Sequence, residues 1–193
     1  TMKTYLDRAA SRLEDLERQQ PNPSAACELI AALSVAVEIY DRTGDLTRTF
    51  VQLLPELVGI SESDFGFLAE VAYESGTPYL RSHAVVDIYK PNYTRHDVVS
   101  NLNFWNLDTL NGAIMTSKAP VASNDPANDS RAGGVPPGHM ELHAFLGMPF
   151  MLEGELLGAS SMANKPGGYA DADVEMFSYV AEIGGLLIAA DRS

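Results

Sequence analysis

Two stretches restrict what this chain can become more than any other. "DFGFLAEVAYESGTPYLRSHAVVDIY" spans residues 64–89 and "HAFLGMPFMLEGELLGASSMAN" spans residues 143–164. Each runs apolar, breaks over a short cluster rich in glycine and charge, and runs apolar again, which predicts a β-hairpin. The first turns within Glu74–Pro78, the second at Glu153–Gly154–Glu155. Hairpins pair their strands antiparallel, so the chain must contain an antiparallel sheet whose faces the rest of the chain covers. A further short strand is predicted in "APVASND", residues 119–125.

The covers read as helices. Met2, Leu6, Ala9, Leu13, Leu16 and Gln20 recur in steps of four and three, a short heptad seam that "PNP" at 21–23 ends. Ser24 is placed to cap a second helix over 24–43, with Ala26, Ile30, Leu33, Val37 and Tyr40 on one face. Asp45 caps a third, which buries Leu46, Phe50, Leu53, Leu54 and Leu57 and is kinked late by Pro55. Residues 92–103 read as a polar loop, and Asn103 is expected to cap a helix over 104–117 with Leu107, Leu110, Ile114 and Met115 inward. Asp171 is expected to cap the last helix, 172–190. Helices, hairpin, helix, hairpin and helix add up to an α+β fold.

Composition narrows the function. The chain has 193 residues, 46% of them hydrophobic, enough for one ordinary domain plus an extension. Its formal charge of −13 repels phosphate backbones and anionic lipid, which argues against nucleic-acid and membrane partners. Cys27 is the single cysteine, so no disulfide can form within the chain and a cysteine-rich zinc site lacks ligands. No apolar run approaches the about 18 residues of a membrane span, and the acidic start does not read as a signal peptide. The expected location is the cytoplasm.

Chemistry concentrates in "SNDPANDSRAGGVPPGHMELHAFLGMPF", residues 123–150. Long irregular connections in compact domains are often functional. Arg131 and Asp129 allow two readings: an anion clamp built on the guanidinium fork, or a pair folded inward to tie the loop, with Asn124 and Asp125 making Asx turns. His139 and His143 stand at metal-ligand spacing if they share a helical turn, but no third ligand and no HExxH pattern accompany them. His139 is therefore expected to cap a turn or hydrogen-bond backbone, and His83 and His96 add no pattern. Gly133, Gly134 and Gly138 do not form a phosphate-binding fingerprint. Phe104 and Trp105 could wall a pocket for a small organic ligand beside Asn103 or Asn106, or simply pack half-buried. No nucleophile elbow or P-loop occurs, so no catalytic residue is assigned.

The resemblance lies in "NDPANDSRAGGVPPGH", "FLGMPF" and "LLGASSMANKPGGY". Together they resemble the later half of a GAF domain, of a subgroup found in bacterial sensor kinases, cyclases and stand-alone regulators. Asn124, Asp125, Asp129, Arg131, Pro136, Gly138, His139, Phe145, Leu146, Gly147, Pro149, Ala163, Asn164, Gly167, Gly168 and Tyr169 carry the match, with Met140 where proline and Lys165 where arginine is expected. The resemblance covers about residues 45–190. It implies a GAF-like, PAS-related antiparallel sheet with flanking helices in a domain over 45–193, and does not explain residues 1–44, which the helical pattern reads as an N-terminal extension. A ligand cavity, when present, lies between the sheet and the long loops, which makes Phe104, Trp105, Asn124, Asp125, Arg131, His139 and Phe145 the candidate ligand contacts. The resemblance implies a sensory or regulatory role, names no ligand or cofactor, and assigns no metal. Some GAF proteins reduce methionine sulfoxide with several cysteines; Cys27 alone, outside the matching region, does not support that activity.

The last helix repeats Val174, Phe177, Ala181, Gly184 and Ile188 in heptad steps. Gly184–Gly185 costs about 1 kcal/mol of helix propensity per glycine, which suggests that another helix comes close there. Pairing of this seam with the one at the N-terminus, in a homodimer, is the expectation. A dimerisation module without ligand is the rival reading.

Overall fold

A computed structural model describes residues 1–19, 25–86, 98–99, 102–135 and 137–193. The caps expected of Ser24 and most of the 92–103 loop, with His96, lie outside these residues. The described elements are α1 (Met2–Gln19), α2 (Ala25–Thr43), α3 (Leu46–Ile60), β1 (Phe65–Glu74), β2 (Thr77–Val86), β3 (Val98–Val99), β4 (Asn103–Phe104), α4 (Leu110–Ser117), β5 (Val121–Ser123), β6 (Phe145–Leu152), β7 (Glu155–Ala163) and α5 (Asp171–Asp191). The strands form one antiparallel sheet in the order β3-β2-β1-β7-β6-β5, with β4 also pairing β2. The fold is α+β.

Both hairpins form where the sequence places them. Their turns are Ser75–Gly76 and Glu153–Gly154, with φ of 50°, 83°, 52° and 86°. Positive φ at both central residues matches the right-handed twist of the flanking strands, and glycine at the second position adopts it without a steric penalty.

The sheet separates two apolar layers. On one face Leu68, Ala84, Leu146, Met148, Phe150 and Leu157 meet α1, α2, α3 and α5 in the larger core. Most of the helical faces read from the sequence are buried: Leu6, Ala9, Leu13 and Leu16 of α1, Ile30, Leu33, Val37 and Tyr40 of α2, and all five named positions of α3, whereas Met2 at the start of the α1 seam is exposed and Ala26 at the start of α2 is half-buried. Asp45 Oδ1 accepts from Arg48 N at 2.8 Å, as a cap should. The α1 and α5 seams do meet, but within one chain: α1 lies on α5, clasped by Arg12 Nε to Glu182 at 3.0 and 2.9 Å. From Ile183 to Ala190 every residue of α5 is buried. A helix apolar on all sides is one enclosed on all sides.

Gly184 has a different neighbour from the helix expected of it. A Cβ there would stand 2.7 Å from the Phe150 ring, so the close partner is strand β6. Two boundaries also shift. Asn103 and Phe104 form β4, paired with Arg81 and Leu80, and the following helix begins only at Leu110. Thr109 Oγ1 caps it, accepting from Gly112 N at 3.0 Å. Pairing and stacking of Phe104 outweigh its helical pattern, and the capping role passes to the last polar residue before the apolar run. The last helix starts at Asp171, one residue early, because Asp173 Oδ2 accepts from Ala170 N at 2.8 Å and holds the first turn from inside.

Candidate functional site

The 123–144 connection is held by its own polar residues. Asn124 reaches across to the turn before α5, with Nδ2 donating to Tyr169 O at 2.9 Å and Oδ1 accepting from Tyr169 N at 2.8 Å. Asp125 begins a turn, accepting from Asn128 Nδ2 at 2.8 Å and Asn128 N at 3.1 Å. The guanidinium fork of Arg131 grips Asp129 at 2.9 and 2.7 Å and also donates to Ala122 O on β5 at 3.0 Å. These bonds from Arg131 hold the Asp129 carboxyl well below its usual range. β5 is the sheet edge, so the loop pair also occupies a carbonyl that an edge strand would leave open. The tying reading of Asp129 and Arg131 is the one these bonds describe.

Further along, His139 Nδ1 donates to Met140 O at 2.6 Å, with its ring edge-on to Phe65 at 5.7 Å. Residues 137–144 form no helix, so His139 and His143 do not share a helical face. Among the described residues no group of three His, Cys, Asp or Glu could hold a metal ion. Asn164 adopts φ 63° and staples the segment before β6: Oδ1 accepts from His143 N at 2.7 Å and Ala144 N at 3.3 Å, and Nδ2 donates to Glu141 O at 2.8 Å. Tyr169 turns its hydroxyl to Ser63 at 2.7 Å, and burial pushes its phenol above the ordinary range. Lys165, at the place of the expected arginine, pairs with Asp173 at the start of α5.

The second apolar layer holds the aromatic candidates. Phe104 stacks on Phe67 at 5.5 Å, and Phe145 joins the same cluster with Ile114 and Met115 of α4. Trp105 points elsewhere, stacked on Tyr79 at 4.0 Å and 43% exposed. Of the seven candidates, Phe104 and Phe145 thus share one layer; Asn124, Asp125 and Arg131 lie in the loop; and His139 and Trp105 each lie against another aromatic ring. An open groove of about 560 Å³ runs beside the layer, floored by Val71, Leu107, Met115 and Leu156 and flanked by Tyr73 and Lys118.

One cluster was not foreseen. Glu70, buried on the helical face of β1, receives Arg81 Nε and His83 Nε2 at 3.0 Å on Oε1, and Arg192 Nη2 at 3.0 Å on Oε2. His83 Nδ1 shares a hydrogen bond with Thr47 of α3 at 2.8 Å. Burial would raise the Glu70 carboxyl, but the bonds from His83, Arg81 and Arg192 bring it down to about 2. The legible sign was a lone acid inside an apolar strand, opposite Arg81 and His83 on the partner strand. Arg192, 122 residues away, had no such sign.

A family model described as a GAF domain matches residues 43–189. No curated protein matches the chain in sequence. Among solved structures it is similar to the GAF domain of a phosphoenolpyruvate-protein phosphotransferase (ptsP) from Coxiella burnetii, at 18% identity and a TM-score of 0.66, covering 88% of this chain and 97% of that one. It is also similar to the A. aeolicus nlh2 GAF domain in an inactive state, at 15% identity and a TM-score of 0.61, over 88% and 98% of the two chains. The free methionine-R-sulfoxide reductase from Neisseria meningitidis, in complex with its substrate, aligns at 13% identity and a TM-score of 0.59, over 89% and 93%. At these identities the likeness concerns the fold.

Proposed function

The chain belongs to the GAF domain family, and from that premise we propose that it is a sensory or regulatory module that relays a change of state through its terminal helices. GAF domains typically serve as such modules in signalling proteins. The observation that supports the relay is the enclosure of α5: Ile183–Ala190 are buried between the sheet and the other helices, and α1 rests on the same helix. A shift in the sheet therefore repacks α5, and with it α1, which is how a ligand that prefers one packing would act. In this reading residues 1–44 are an extension that reports the state of the 45–193 domain. A small organic ligand enters beside the Phe104–Phe145 layer, under the loop carrying Asn124, Asp125, Arg131 and His139, with Trp105 at its rim. The module is bacterial, cytoplasmic and non-catalytic. Reductases share its fold, but its single cysteine, Cys27, lies on α2 outside residues 43–189.

A second reading is favoured by the side chains that already occupy the α4 layer: a dimerisation module without ligand. Because the α1 seam is buried within the chain, a second copy would meet the outer faces of α1 and α2, where Val35 is 54% exposed. Native mass spectrometry of freshly purified protein, followed by hydrogen exchange before and after ligand removal, separates the two. A retained small molecule whose removal changes exchange in α1 and α5 supports the relay. A dimer carrying no small molecule supports the second reading. Retained ligand with unchanged α1 and α5 exchange ends the relay.

A further inference from the structure

The Glu70 carboxylate divides its two oxygens between two parts of the fold. Oε1 faces β2, taking Arg81 and His83; Oε2 faces α5, taking Arg192. Arg192 Nη2 also donates to Val71 O at 2.6 Å and Leu157 O at 3.4 Å, so the residue after α5 is seated on β1 and β7 at once. Its neighbour Asp191, the last residue of α5, accepts from Tyr40 of α2 at 3.0 Å. Through His83 and Thr47 the same carboxylate reaches the first turn of α3. The end of α5 is thus held by specific polar contacts, three of which converge on the single nitrogen Arg192 Nη2, the one to Glu70 being charge-assisted.

We propose that the Glu70–Arg192 contact is a lock by which the β1–β2 hairpin holds the final turns of α5 against the sheet, and that moving Glu70 toward its β2 partners releases them. This deepens the relay reading above, on which its regulatory meaning rests, by naming the contact through which the sheet acts on α5. The geometry gives the lock a selective signature. Arg192→Gln removes the α5 side of the carboxylate and leaves Arg81 and His83 on Oε1. Arg81→Gln removes part of the β2 side and leaves Oε2 to Arg192.

Hydrogen exchange on the intact chain tests it. Arg192→Gln and Glu70→Gln are each expected to speed exchange of the 183–191 amides by roughly tenfold, and the double variant by less than the product of the two single effects, because the two substitutions share the Glu70–Arg192 contact. Arg81→Gln is expected to leave those amides within about twofold of the parent. Unchanged α5 exchange in Arg192→Gln overturns the lock, as does equal acceleration by Arg81→Gln. Arg192 is partly exposed at a helix end, so Arg192→Gln keeps the test available if Glu70→Gln fails to fold. The outcome is separate from that of the relay. An intact lock with no ligand response in α1 and α5 removes the relay alone, and a ligand response that survives Arg192→Gln removes the lock alone.

Discussion

Asn164 shows how much one side chain can hold in a segment with little regular structure. Its φ of 63° is left-handed, and its amide binds three backbone groups between Glu141 and Ala144. Asn164→Ala loses those bonds and leaves in the left-handed conformation a residue that tolerates it less well than asparagine, an expected cost of about 3 kcal/mol, whereas Asn164→Gly relieves the backbone part, about 1 kcal/mol of it. Urea denaturation of both variants checks this; equal losses would show that backbone conformation is not part of the reason for asparagine. The Asp129–Arg131 pair is more open to solvent, with the arginine side chain 45% exposed. Each alanine variant is therefore expected to cost only about 1 kcal/mol by the same measurement. If both variants unfold like the parent and a retained ligand disappears from the native mass spectrum, Arg131 is a clamp after all.

Elements meet through contacts whose tolerance can be measured. On α5, a Cβ at Gly184 would collide with the ring of fully buried Phe150, while one at Gly185 finds its nearest neighbour, Met151 O, at 3.6 Å. Gly185→Ala should then stabilise by up to about 1 kcal/mol through helix propensity, and Gly184→Ala should destabilise by about 1–3 kcal/mol through overpacking. Thermal melts that move in the same direction for both variants would contradict this packing. Glu70 joins three elements and carries a pH signature. Its carboxyl titrates at about 2 in the fold against an ordinary 4.5. The folded state favours the charged form, so the contribution is complete above about pH 4.5 and is lost as pH falls toward 2. Glu70→Gln should flatten the stability profile over that window; a profile parallel to the parent's would remove Glu70 as its source.

At the scale of the whole molecule, α1 shares the core of the sheet. Leu13 is 5% exposed and lies in the same cluster as Leu146 and Phe177. Leu13→Ala should lower the stability of the entire chain by about 3 kcal/mol in one cooperative transition. A separate early transition for the N-terminal segment, with the main one unmoved, would mean that α1 folds as an appendage.

What the sequence determined by itself was whatever depends on a few neighbouring residues. The hairpins followed from glycine at turns that need positive φ, the buried faces of α1, α2 and α3 from their 3.6-residue stripes, and the cap of α3 from Asp45. The spacing of Asp129 and Arg131 allowed a tie or a clamp, and only the bonds of the folded loop, including that to Ala122 O on β5, describe the tie. Tertiary structure alone decided the partners. Asn103, Asn106 and Thr109 are all able to begin a helix, and only the pairing of Phe104 with Leu80 removed the first from the competition. The α1 seam would serve a second copy or its own α5 equally well by pattern; enclosure by the same chain chose α5. Gly184 advertised a close neighbour without naming strand β6. Glu70 found its bases 11, 13 and 122 residues away. Local pattern sets which surface must be buried or which charge must be met, but its occupant is chosen by packing between segments far apart in the chain, where no spacing rule operates.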